Sequence, residues 1–165
     1  MQETVIKEAT ASPSERHTYD SILAAQYLRA LGHKEGIILN VTKVQKLLFI
    51  AYGVYLAATG HILLDESPKA WPFGPVFPKT RTKVDYGQII AIDHSCFEKI
   101  AQDDFVTKLF EDIINTYSPT SASALSEWSH MEGSPWYLTT KLPGFKWNDP
   151  IKNEFILDFF KRKND

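Results

Sequence analysis

A single cysteine, Cys96, stands among 165 residues, so an internal disulfide and any site built on several thiolates are excluded. Glycine is sparse and dispersed, and neither GxGxxG nor GxxxxGK[ST] occurs, which removes the usual phosphate-cradling loops. His17, His33, His61, His94 and His130 lack the HxxxH spacing that puts two imidazoles on one helical face, and no carboxylate cluster accompanies them. Neither a metal nor another cofactor is therefore expected. Excess charge of one sign is also missing: 18 Lys and Arg against 20 Asp and Glu give -2, too little to draw the whole chain onto nucleic acid or acidic lipid. No run approaches the roughly 20 apolar residues of a membrane span, and the longest, Val44 to Ala58, is interrupted by Gln45, Lys46 and Gly53. The opening MQETVIKEATASPSERH lacks the basic start, apolar middle and cleavage site of a secretory signal, so a frayed tail and a cytoplasmic location are expected.

What is present suffices for a core. Hydrophobic residues make up 44% and charged residues 23%, the balance of a folding globular chain rather than a disordered one. One domain over residues 18–160 is expected, between a flexible tail (1–17) and a polar tail (161–165). No internal repeat is visible. Ile22, Ala25, Leu28 and Ala30 or Leu31 have helical spacing, with Thr18 or Asp20 as cap and an end near Gly32. TKVQKLLFIAYGVYLAATG is the central helix, because its apolar residues cover far more than one face; Thr42 and Gln45 match a capping box and Gly60 a left-handed stop. HILLDESPKAWPFGPVFP reads as a small hairpin turning at DESP, followed by a proline-punctuated loop. A short helix is expected over 79–86, while QIIAI stays open between strand and buried turn. An amphipathic helix follows, capped by Asp103 or Asp104 with Phe105, Leu109, Phe110, Ile113 and Ile114 on one face. Another runs from near Ser121 to Gly133, then an extended SPWYLTTKLPGFKWN. A last helix is capped by Asp149 with Pro150 in its first position. The fold class is mainly α with a small β-hairpin.

The chemistry is thin. His130, Glu132 and Ser134 cluster where a helix meets a loop and could form an acid–base pair, although helix-end hydrogen bonding suits them better. Cys96 follows Asp93, His94 and Ser95, but sequence neighbours seldom aim two side chains at one reacting atom. Lys79, Arg81 and Lys83, and Lys161, Arg162 and Lys163, are basic runs that usually form solvated faces. The distinctive feature is aromatic density around prolines and glycines: Trp71, Phe73 and Phe77 in AWPFGPVFP, Trp136 and Tyr137 in SPWY, then Trp147. Such rings fill cores or anchor partners; Trp71 and Trp136 suit the core, Phe77 and Tyr137 exposed contacts.

Three segments in order, KVQKLLFIAYGVYLAATGHILLDE, AWPFGPVFP and SHMEGSPW, resemble the Panacea domain of SocA-like and GepA-like proteins of bacteria, phages and mobile elements. The matching residues include Lys46, Leu47, Tyr52, Trp71, Gly74, Pro75, His130, Gly133, Pro135 and Trp136, mostly of kinds a fold needs, with Gly74 and Pro75 setting a turn. The chain departs from the family pattern after GPV, where FPKTRTKVDYG replaces an apolar-aromatic helix start.

The resemblance implies an antitoxin that neutralises a protein toxin, often encoded beside it, by direct binding, and a SocA-type member hands its toxin to a protease. No catalytic set comes with it. The expected partner surface comprises Trp71, Phe73, Phe77, Lys79, Arg81 and Tyr137. Rival readings are an inhibitor of a host defence protein, a small hydrolase or transferase using His130 and Glu132, and a nucleic-acid module using Lys79, Arg81 and Lys83.

Overall fold

A computed structural model describes residues 18–163; the tail expected over 1–17 lies outside them. Helix α1 (Ser21–Lys34) starts where Asp20 accepts hydrogen bonds from the N–H groups of Ile22 and Leu23, and runs two residues past Gly32, with Glu35 as its C-cap. Helix α2 (Val41–Thr59) is buried without a break from Val44 to Leu56, as its all-round apolar sequence requires. Its cap is Asn40, whose Oδ1 accepts from the Lys43 N–H at 2.8 Å, rather than the expected Thr42–Gln45 box. Gln45 is turned into the core instead. Gly60 closes the helix in the left-handed conformation.

Strands β1 (Lys69–Trp71) and β2 (Gly74–Val76) pair antiparallel with Trp71 opposite Gly74. The hairpin therefore turns at Pro72 and Phe73, not at the DESP segment. Asp65 and Glu66 of that segment hold helix starts: Asp65 accepts from the Ser21 N–H of α1, and Glu66 from the Lys79 and Thr80 N–H groups of α3 (Pro78–Lys83). A carboxylate beside the free N–H groups of a helix is favourable both as acceptor and as charge. Residues 88–92 form neither strand nor helix. Their loop is anchored by the buried guanidinium of Arg29, which donates to the Asp85, Tyr86 and Gln88 carbonyls and stacks on the Tyr86 ring.

After a short turn, α4 (Glu98–Ala101) leads to α5 (Asp104–Tyr117), capped by Asp103 and buried along the expected face. Helix α6 (Ala122–His130) follows its Ser121 cap. The stretch expected to be extended is in part helical: Ser134 accepts from the Tyr137 N–H, Pro135 takes the first turn, and α7 spans Pro135–Thr140. Helix α8 (Asn153–Lys163) begins three residues later than Pro150 suggests. Pro150 is taken by a bridge to Lys69, and Ile151 donates to the Pro68 carbonyl, so tertiary pairing overrides the local helix-start signal. Helix α8 also continues through the first residues of the expected polar tail.

Among the described residues the architecture is a mainly helical single domain with one two-stranded sheet. Helices α1, α5, α6 and α8 and strand β2 surround α2. By length and composition α2 could cross a membrane, but most of it is buried within the protein, as befits a central core helix.

Candidate functional site

Three segments far apart in sequence meet at one edge of α2. Lys46 is 2% exposed, and its Nζ donates to the Phe73 and Pro75 carbonyls, each at 3.1 Å. One residue earlier, Gln45 Oε1 accepts from the Phe77 N–H at 2.7 Å. Two polar side chains of the core helix thus grip the main chain of the hairpin. Gly74 lies between those carbonyls with φ of +111°, and a Cβ there would come within 2.9 Å of Ser129 Oγ, 3.0 Å of Lys46 Nζ and 3.1 Å of His130 Nε2. Only glycine lets α2, the hairpin and the end of α6 close on one another.

The electrostatics follow from this packing. Burial, with a smaller contribution from Arg81, lowers the Lys46 pKa to about 8. Burial and the Lys46 charge also lower His130, against the pull of the Phe73 carbonyl. An unfolded lysine keeps its proton to about pH 10.4. The cost of the buried charge is therefore present in full below pH 8 and is relieved as pH rises above it. Wild type should gain about 2 kcal/mol from this group by pH 9.5, an increment absent from Lys46→Met; denaturant unfolding of both proteins at several pH values checks it.

Beside this latch lies an aromatic cluster. Trp136 donates from Nε1 to the Trp71 carbonyl at 2.7 Å, and its ring lies 4.6 Å from that of His130. Trp147 stacks on Trp136 at 6.3 Å, and Phe145 meets Trp147 edge-on at 5.0 Å. Trp71 Nε1 donates to Asn148 Oδ1 at 2.8 Å, tying the 145–148 loop to the hairpin. Trp136, Tyr137, Phe145 and Trp147 are among the walls of an open cleft of about 520 Å³, which carries Lys141 and Lys146.

The expected partner residues divide on folding. Phe73, at the hairpin turn, is 68% exposed. Phe77, expected to be exposed, is fully buried: its N–H is held by Gln45 and its ring packs 5.8 Å from Tyr52. Trp71 is half-buried with Arg81 over its ring, Lys79 pairs with Asp65 at 2.7 Å, and Tyr137 lines the cleft. Leu47 and Tyr52 are core residues, Pro75 and Pro135 are buried, and Gly133 takes φ of +88° in open space.

No hydrogen bond or ion pair joins His130 to Glu132 among the described residues: the imidazole faces Trp136 and Gly74, and Glu132 is exposed. His94 Nδ1 accepts from the Cys96 N–H, a helix-cap contact rather than an activated thiol. Sequence reasoning missed Gln45 as a clamp and Phe145, Lys141, Lys146 and Asn148 as neighbours of the cleft. Gln45 and Lys46 did leave a signal, as polar residues within an otherwise apolar core helix.

Fold and site together define a helical domain in which a glycine turn is locked against a buried lysine beside an aromatic cleft. Residues 44–137 match the family model described as "Antitoxin SocA-like, Panacea domain", and the chain belongs to that family. It is 30% identical over 112 residues to Antitoxin SocA of Caulobacter vibrioides (strain NA1000 / CB15N), an alignment covering 61% of this chain and 60% of that protein. The chain thus spans about three fifths of that relative's length. No solved structure matches it.

Proposed function

We propose that this chain is an antitoxin that neutralises a protein toxin by direct binding in the cytoplasm, through the face formed by the hairpin turn and the aromatic cleft. The observation carrying this reading is the exposed Phe73 ring, raised on a turn that the core helix holds from below. A large apolar side chain on a rigid support gives contact area at little cost in ordering, the property of an interface anchor. Trp71, in the strand that leads into the turn, carries Arg81 over its ring, Tyr137 lines the cleft and Lys79 pairs with Asp65; the buried Phe77 supports the turn and is no longer a contact.

Growth rescue tests the proposal. Each neighbouring reading frame is expressed alone and with this chain, and surviving cells are counted. One neighbour should be lethal alone and harmless in company, and Phe73→Asp should lose rescue while melting like wild type. Rescue undiminished by Phe73→Asp would remove the hairpin turn from the interface, and absence of any toxic neighbour would favour a host defence protein as target. Toxin that becomes unstable only when a cellular protease is present would mark delivery to that protease, as the resemblance implies, in place of simple occlusion.

A further inference from the structure

We propose that the cleft between α7 and the 145–148 loop receives an acidic segment of the partner, with one aromatic or branched apolar side chain entering among the rings and flanking carboxylates meeting Lys141 and Lys146. This rests on the reading of the chain as a toxin-binding protein and adds to it the site and the chemistry of the bound segment.

Charge carries the argument first. In a chain of net charge -2, the cleft is lined by two lysines and, among the described residues, by no carboxylate. Asp149, the nearby acid, is turned to the Lys146 main-chain N–H. Lys141 lies over the Tyr137 ring at 5.1 Å, which holds its ammonium beside the opening. An approaching acidic segment therefore finds positive charge without a competing negative wall, the complementarity that speeds encounter and selects partners.

Shape and rigidity carry it further. A volume of about 520 Å³ is ample for a large side chain and its neighbours, and Trp147 leaves 53% of its surface exposed there. The walls are already fixed: Trp136 is tied to Trp71, Trp71 to Asn148, and the turn to Lys46. Such preorganised aromatic walls lose little freedom on binding. Aromatic rings with lysines can also serve single-stranded nucleic acid, but base stacking needs free ring faces. Trp136 is already in ring contact with His130 and Trp147.

Tryptophan fluorescence of the full chain reads the cleft directly, because Trp136 and Trp147 line it. The probes are a capped peptide of two glutamates, a phenylalanine and two glutamates, the same peptide with lysines for glutamates, and oligothymidylate. The acidic peptide should give a saturable change that weakens with salt. The variant Lys141→Glu/Lys146→Glu should bind it about ten-fold less tightly or worse, with an unchanged melting curve. The same variant should fail to rescue cells from the toxin that wild type neutralises. An equal response to the basic peptide, a response to oligothymidylate alone, or no saturable response would overturn the proposal. If wild type and the charge-reversed variant rescue equally well, the cleft is excluded and the antitoxin reading stands. If wild type rescues from no toxin while the acidic peptide binds selectively, the toxin reading fails and the acidic specificity of the cleft remains.

Discussion

Gly53→Ala should destabilise the protein by about 2–4 kcal/mol, although alanine is ordinarily the better helix former by about 1 kcal/mol. Gly53 lies inside α2, where α8 crosses it, and a Cβ there would fall within 2.6 Å of Phe160 Cζ and closer still to Cε2 and Cδ2. Phe160 has no room to withdraw. It is fully buried and in ring contact with Phe49 at 5.8 Å, Trp128 at 6.2 Å and Phe159 at 5.3 Å. The added methyl must separate α2 from α8 or drive the ring off its rotamer, and either loss exceeds the gain in propensity. Denaturant unfolding should show the loss. The pair Gly53→Ala/Phe160→Leu should cost clearly less than the sum of the single changes, because the smaller side chain yields the contested space. Gly53→Ala at or above wild-type stability would mean that the helices can part freely there.

Gly74→Ala should be comparably damaging for another reason. Its cost combines an unfavourable backbone conformation, about 1–2 kcal/mol for an L-residue at positive φ, with the intrusion of a methyl group among Ser129, Lys46 and His130. Displacing Lys46 Nζ releases the Phe73 and Pro75 carbonyls. The variant should therefore lose about 2–3 kcal/mol, the alkaline increment assigned to Lys46, and toxin rescue together. Gly133 is the control. It too has positive φ, but no atom lies within 4 Å of its Cβ position, so Gly133→Ala should show backbone strain alone and keep the alkaline increment. Equal losses of stability and of pH dependence at the two sites would show that the latch contributes nothing at Gly74.

Elements governed by local pattern were legible. The apolar circumference of α2, the single buried face of α5, the cap of α1 at Thr18 or Asp20, that of α5 at Asp103 or Asp104, and a helix start near Ser121 are written within a few residues of where they act. Elements decided across the fold were not. Pro150 carries a sound helix-start signal and is drawn into pairing with Lys69. The same kind of signal at Ser134 and Pro135 does start a helix, in a stretch read as extended. Phe77 could not be placed from sequence, since a strand end in a proline-rich loop gives no clue to which face meets the core. The motif residues Lys46, Gly74, His130 and Trp136 were visible one by one, but their convergence was not. The cleft was the least legible, because its 145–148 wall lies beyond the matched segments and is fixed by Trp71, 77 residues before Asn148.

Those same cross-links bear on how the molecule reaches its native state. A hairpin of two three-residue strands has no stability of its own, and Lys46 grips it across 27 residues. Tyr19 meets Asp103 across 84 residues and Tyr52 meets Asn153 across 101. Each link closes a long loop before it returns any energy. A chain made mostly of helices is therefore connected as a β protein is, and it should fold more slowly than helical bundles of similar size, with the hairpin acquiring its shape only once α2 is in place.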